Sequence, residues 1–384
     1  MKRKKVLRRW IRLSFLWARW AFVVFTVAGC TLRPTPATPQ EQETGSEPNV
    51  TPAFTLGESM YRQPIPYQPT RGLPTWNAFS SRVDLTRFEL GLMELSRNAF
   101  PPERYLYQEG QVLSAEEISD WLQPYDAEKA PLGLNDAAFL SNGNVFALFW
   151  EQDYLELSSQ ALAGVTVGMV VNPTVREQPK SAPGTASGAD SQSRNLTPEE
   201  LEAYARAAGE KIGARLRERG VEGPIVLAAY LAQPARSERV LVPGHFFLYG
   251  ELAKGQKSGI RWKPIEERYV LLPARTPDEN DKRVALLFDD FNQKLQKAFP
   301  QYTGIVGLAR FDGERLLELS ITVTATYRSK GEVLGIAQYA AALVEEIFPS
   351  GTDIEVYVQS IDRPQALYVR PAAGEPFLHV FRNQ

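Results

Sequence analysis

Residues 304–327 read GIVGLARFDGERLLELSITVTATY. Apolar and β-branched runs lie on either side of Asp312-Gly313, which predicts two antiparallel strands joined by a tight hairpin. The next segment, VLGIAQYAAALVEEIF (333–348), has the apolar spacing of a helix face, and IEVYVQSI (354–361) returns to strand. Hairpin, helix, strand is not the strict alternation of a doubly wound parallel sheet. It predicts an α+β fold of mixed, largely antiparallel sheets with packed helices.

The same signals extend toward the N-terminus. DLTRFELGLMELSRNAF (84–100) puts Leu85, Phe88, Leu92 and Leu95 on one helical face behind Asp84 as cap. LSAEEISDWL (113–122) opens with Ser114 and carries Glu117 three residues on, a capping-box pattern. TPEELEAYARAAGEKIGARLRERG (197–220) has Thr197 as cap, Pro198 in the first turn and Gly220 at the end. VALLFDDFNQKLQKAF (284–299) is a further helix. Strands are expected at ALAGVTVGMVV (161–171), PIVLAAYLA (224–232), HFFLYGEL (245–252), YVLL (269–272), ALYVR (366–370) and FLHVF (377–381). Phe-Pro follows three helical segments, at Phe100, Phe299 and Phe348. Helix-stop chemistry accounts for the pattern without a duplication.

NPTVREQPKSAPGTASGADSQSRN (172–195) is of low complexity and too long for an ordinary loop. It predicts two subdomains, 58–171 and 197–384, joined by a flexible linker at 172–196.

The first thirty residues differ from the rest. They hold eight basic residues and no acid, which leaves residues 31–384 at about −10. A chain this acidic is a poor match for nucleic acid, whose phosphates need clustered Lys and Arg. The apolar run AFVVFTVAG (21–29) has the length of a signal-peptide h-region, well short of the ~20 residues of a membrane-spanning helix. Cys30 is the single cysteine of the chain. Val27-Ala28-Gly29-Cys30 resembles a bacterial lipobox: small residues let the modifying enzymes reach the backbone, and the thiol takes the diacylglyceryl group. That resemblance implies residues 1–29 as a lipoprotein signal peptide, cleaved between Gly29 and Cys30. It also implies a diacylglyceryl transferase and a lipoprotein signal peptidase as maturation partners. The product would be anchored by its acyl chains (palmitate-type) on the extracytoplasmic face of the cell membrane. Residues 30–57 are rich in Pro, Thr, Gln and Glu and read as the lipidated cysteine and a disordered tether.

Catalytic chemistry is hard to find. His245 and His379 are the two histidines, both in strand-like settings, without the spacing of a metal site. No GxSxG elbow or phosphate-binding loop is present, and no cofactor is expected. Glu109, Glu151 and Asp153, acids flanked by aromatics, are the candidates for a glycan-cleaving pair.

Together, RFELGLMELSRNAFPPERYLYQEGQVL (87–113), EQDYL (151–155), VPGHFFLYGEL (242–252), FPQYTGIVGLARFDGERLLELSITV (299–323), GEVLGIAQYAAALVEEIFP (331–349) and IEVYVQSIDRPQALYVRPAAGEPFLHVF (354–381) are similar to the CamS family of Gram-positive sex pheromone lipoproteins. In pheromone-producing members, the resemblance implies, the active molecule is a short hydrophobic peptide cut from the end of the signal peptide. Enterococci carrying conjugative plasmids sense it. The corresponding stretch here is Phe22, Val23, Val24, Phe25, Thr26, Val27, Ala28 and Gly29. The family supplies no catalytic residues to carry over. The expectation is a non-enzymatic lipoprotein that binds an unknown envelope ligand. The alternative is an envelope enzyme acting on wall glycan.

Overall fold

The computed structural model describes residues 60–72, 81–178, 192–234, 242–274, 277–300, 302–326, 329–361 and 363–382. All lie within the compact unit Pro48–Gln384. The signal segment, Cys30 and the tether fall outside the described residues, as do residues 179–191 of the expected linker.

In chain order the elements are β1 (Ser81–Arg82), α1 (Leu85–Ser96), β2 (Tyr105–Glu109), α2 (Ala115–Trp121), β3 (Phe146–Glu156), β4 (Leu162–Val171), β5 (Thr174–Arg176), β6 (Ser193–Asn195), α3 (Pro198–Glu218), β7 (Ile225–Leu231), β8 (Gln233–Pro234), β9 (His245–Leu252), β10 (Arg261–Pro264), β11 (Glu267–Leu272), α4 (Lys282–Ala298), β12 (Tyr302–Asp312), β13 (Arg315–Ala325), α5 (Lys330–Ile347), β14 (Asp353–Gln359), β15 (Pro364–Arg370) and β16 (Phe377–Val380). The opening hairpin forms as expected: Asp312 pairs with Arg315, and Gly313 takes a φ of 58° in the turn. The fold is α+β.

Two six-stranded sheets carry the molecule, in the orders β10-β9-β7-β4-β3-β2 and β11-β12-β13-β14-β15-β16. They share one connectivity. Each runs strand, helix, antiparallel strand pair, crossover helix, then a strand parallel to the last, and closes with two antiparallel strands. The parallel pairs are β4 with β7, across α3, and β13 with β14, across α5. All other pairs in both sheets are antiparallel.

The division of the chain therefore differs from the sequence reading. The stretch 172–196 leaves β4 and returns through α3 to β7, beside β4 in the same sheet, and β5 and β6 pair within it. The chain changes sheet at Ile265 and Glu266 instead. Composition marked a surface excursion, whereas the boundary of a sheet is set by non-local pairing. The Phe-Pro steps after α1, α4 and α5 do not sit at equivalent places in the two halves, so they are helix stops and no trace of the repeated connectivity.

The two sheets are covered differently. In the first, Phe149, Val167, Met169, Leu227 and Leu248 pack toward α2 and α3, while Leu148, Trp150, Val170, Ala228 and Phe246 pack toward Phe88 and Leu92 of α1. Strands buried on both faces read as continuous apolar runs, as ALAGVTVGMVV does. In the second, α4 and α5 cover one face only. Burial along β13 alternates residue by residue, with Leu319, Ile321, Val323 and Ala325 inward.

The expected N-caps form, but the capping box expected at Ser114 and Glu117 does not, because the Glu117 carboxylate pairs with Arg219 instead. Asp84, Ser114 and Thr197 each accept the N–H three residues on, and Thr197 with Glu200 completes a capping box. Thr197→Ala is expected to lower stability by about 1 kcal/mol in thermal melts; an unchanged midpoint would show that α3 is held by packing alone.

Candidate functional site

The acids singled out in the sequence meet at one corner, where β2 pairs with β3. Glu151 and Asp153 lie two residues apart on β3 and are each 2% exposed. Their oxygens hold backbone. Glu151 accepts the N–H groups of Val112 (3.2 Å) and Leu113 (2.8 Å), and Asp153 accepts that of Gln111 (2.9 Å). Glu109 accepts the Tyr67 hydroxyl at 2.6 Å and the Thr70 N–H at 2.7 Å. Burial pushes the Glu151 carboxyl well above the usual range, with the neighbouring Asp153 adding to it. Burial likewise raises Asp153, against the bond from Gln111. These three acids thus clip residues 110–113 and the arm 67–72 to the edge of the first sheet. They do not face one another across an open cleft, as a glycosidase pair would.

The two histidines are far apart in pairing. His245 opens β9 opposite Leu231, and His379 lies on β16 opposite Leu367. Burial lowers His245, which keeps its ring neutral at pH 7. Among the described residues, no group of three or more His, Cys, Asp or Glu side chains could hold a metal.

The molecule concentrates charge elsewhere, where α1 meets the second sheet around Arg310. Its Nε donates to Glu267 Oε1 (2.8 Å) and its Nη2 to Glu94 Oε2 (2.7 Å), while Nη1 lies 3.7 Å from Glu318 Oε2. Arg87 reaches the other Glu318 oxygen at 3.1 Å and stacks over the Tyr269 ring. Glu267, with 6% of its side chain exposed, also accepts the Phe246 N–H at 2.6 Å. Burial raises the Glu267 carboxyl, and Arg310 partly offsets the rise. Burial works against the Arg310 charge, but Glu94 and Glu267 outweigh it and raise its pKa. The first residue of β11 is thereby tied to β9 through a backbone amide, to β12 through Arg310, and through Arg310 to α1.

Two clefts flank this hub. One, of about 550 Å³, runs between α1 and the second sheet and is lined by Asp84, Arg87, Leu90, Glu318, Glu355 and Tyr357 among others. The other, of about 500 Å³, lies at the change of sheet and has apolar walls from Leu95, Phe246, Ile265, Phe311 and Leu317. Gly91, Glu94, Glu267 and Arg310 border both. Gly91 is required there: a Cβ would stand 2.4 Å from the Phe246 ring. Both volumes lie in the ~300–1,000 Å³ range of small-ligand sites, and a junction between layers is a common place for one. The arrangement suits binding, with fixed charges around an apolar wall.

Comparison with known proteins identifies the relatives of this fold. The family model described as "CamS sex pheromone cAM373 precursor" matches residues 67–375. The chain belongs to the CamS family. Among solved structures, the CamS chain is similar to the sex pheromone precursor of Lactobacillus salivarius subsp. salivarius. That match has 26% identity and a TM-score of 0.72, covering 88% of this chain and 100% of that one. It is also similar to the C-terminal domain of the sex pheromone staph-cAM373 precursor of Staphylococcus aureus. Here identity is 25% and the TM-score 0.64, covering 78% of this chain and 96% of that one. No curated protein matches it. The Arg310 hub of this CamS protein escaped the sequence reading, because its members come from α1, β11, β12 and β13 with no short spacing to read. A signal existed in register: Arg310 and Glu318 are cross-strand partners inside the hairpin quoted first.

Proposed function

We propose that this CamS protein is a lipid-anchored extracytoplasmic lipoprotein. Cys30 carries the diacylglyceryl group, and the tether presents the folded unit as a non-enzymatic binding module. Diacylglyceryl transferase and lipoprotein signal peptidase act on it during maturation. The module's partner is an envelope ligand, and nucleic acid is not one. The fragment ending at Gly29 serves as a peptide pheromone, as the names of the similar precursors from Lactobacillus and Staphylococcus suggest. The observation that carries the reading is the lone cysteine directly behind Val27-Ala28-Gly29, in a chain whose family match begins downstream, at residue 67. Binding rather than catalysis is supported by Glu109, Glu151 and Asp153, whose oxygens hold backbone and a tyrosine hydroxyl.

Labelling cells with a radioactive fatty acid tests the anchor. The full chain is expected to take up label, and Cys30→Ala to lose it and stay uncleaved at full length. Label retained on the Cys30→Ala protein would overturn the assignment. Synthetic FVVFTVAG added to plasmid-bearing recipient cells tests the pheromone. Aggregation or transfer supports it, and silence across the nanomolar to micromolar range removes it.

A further inference from the structure

The outer strands of the two six-stranded sheets are closed in different ways. A free sheet edge is a row of unpaired N–H and C=O groups, and folded chains guard it with charge, proline, a bulge or a covering segment. β10 carries Arg261, Lys263 and Pro264. β2 is covered by Arg62, whose C=O accepts the Tyr107 N–H at 2.9 Å. β11 abuts β9, to which Glu267 fastens it through the Phe246 N–H. β16, Phe377-Leu378-His379-Val380, has no Lys, Arg or acid, no proline and no bulge, and no strand lies beyond it among the described residues. Its outer face is aromatic. Phe377 is 56% exposed and its ring stacks on that of His379 (6.2 Å between centroids), which meets Phe381 edge-on (4.9 Å).

Hydrogen bonding fixes which way each residue of β16 turns. The Phe381 N–H donates to the Gln365 C=O at 3.0 Å, and in an antiparallel pair the bonded residues alternate. Phe377, His379 and Phe381 thus give their backbone groups to β15, and Leu378 and Val380 aim theirs outward. That outward set is symmetric about His379. We infer that β16 pairs with β16 of a second copy of this chain, antiparallel about a twofold axis at His379, joining the two second sheets into one. Leu378 then exchanges both backbone bonds with Val380 of the other copy, so each outward N–H meets an outward C=O. The side chains match as well: Phe377 lies opposite Phe381, Leu378 opposite Val380, and His379 opposite its own copy. Other registers lose this fit. A slip of one residue sets core-facing Leu378 opposite solvent-facing His379. A slip of two sets Val380 against Pro376, which has no N–H, or Leu378 against Arg382. A foreign strand would need the same sequence of partners, which a second copy always brings. Space allows the pairing. α5 reaches β14, β15 and β16 and so runs over β15, and its copy stands three strand spacings away, ~14 Å, beyond the 8–10 Å of touching helices.

A contact of one short strand falls below the ~1,200 Å² of stable complexes, so the dimer is weak and reversible. Residues 30–384 with Cys30→Ser keep the whole compact unit and leave the lipid assignment out of the test. Sedimentation equilibrium is expected to show a dimer with a Kd on the order of 100 μM. His379→Glu places two carboxylates on the axis at an exposed position and should weaken it roughly tenfold. Val380→Pro should do the same, since the N–H it removes points away from β15 and an edge strand tolerates proline there. Disulfide capture reads the register. His379→Cys should cross-link to its own copy under a mild oxidant, because unbonded antiparallel partners stand ~4.5 Å apart between Cα atoms, within disulfide reach. Phe377→Cys should not, its copy lying ~14 Å away, but it should cross-link to Phe381→Cys. A monomer at millimolar concentration overturns the inference. So does a dimer unmoved by both His379→Glu and Val380→Pro, or equal self-cross-linking at positions 377 and 379.

Discussion

Arg310→Met is expected to unfold about 3–5 kcal/mol more easily than the parent, with the thermal midpoint falling on the order of 10 °C. The cause is the partner left behind. Glu267 is almost wholly buried, and without the guanidinium its carboxylate has only the Phe246 N–H and a long hydrogen bond from the Tyr269 hydroxyl (3.3 Å) to answer it. Losing one member of a buried pair costs far more than the pair contributes, because the remaining charge is stranded in a poorly solvated place. The pH dependence tells this apart from lost packing. Burial already lifts Glu267 above the ordinary carboxylate value with Arg310 present, and removing Arg310 lifts it further. The folded variant then holds a proton that the unfolded chain releases. Its stability is full below the ordinary carboxylate value and is lost as pH rises through the raised one. The deficit should therefore be smaller at pH 5 than at pH 8, and Arg310→Met with Glu267→Gln should recover a large part of it. A deficit equal at both pH values would place the cost elsewhere.

The second large effect belongs to the buried acid corner. Glu151→Ala is expected to cost about 3 kcal/mol in denaturant melts, since two backbone N–H groups, of Val112 and Leu113, lose their acceptor beside the fully buried Leu113 side chain. The native protein should also weaken in alkali. Both carboxyls are raised, so the folded state retains protons that the unfolded state gives up. Stability is complete at acid pH, below the ordinary carboxylate value, and declines as pH climbs through the raised values. Asp153→Asn removes one of the two charges while keeping an oxygen for the Gln111 N–H, so its decline should be shallower. Identical alkaline profiles for the two proteins would refute the shared origin.

Much of the architecture could be read from residues alone. The five helices of the described residues were legible because apolar residues recur at helical spacing and three announce themselves with a cap. The strands of the second half were legible because one covered face forces alternation. What stayed hidden has a common cause. β3, eleven residues long, carries Glu151, Gln152 and Asp153 in its middle, and polar residues in a run look like an interruption. They are buried instead because the backbone amides of residues 111–113 and the Glu89 carbonyl come to them from elsewhere in the chain. The same acids therefore drew suspicion of catalysis, although their work is to fasten a segment. The Arg310 hub was invisible for a related reason, since it exists only after α1 and three strands have come together.

The shared connectivity of the two sheets has a consequence for how this chain tolerates change. A strand pressed on both sides has no position free to vary, whereas one pressed on a single side leaves every second residue free. Random substitution should therefore be purged along β3, β4 and β7 without regard to position. Along β12, β13 and β14 it should be accepted in a two-residue rhythm, broken at Arg310 and Glu318, whose outward side chains are tied to α1. Two stretches wired alike would then drift apart at different speeds, enough to erase any likeness between them at the level of letters.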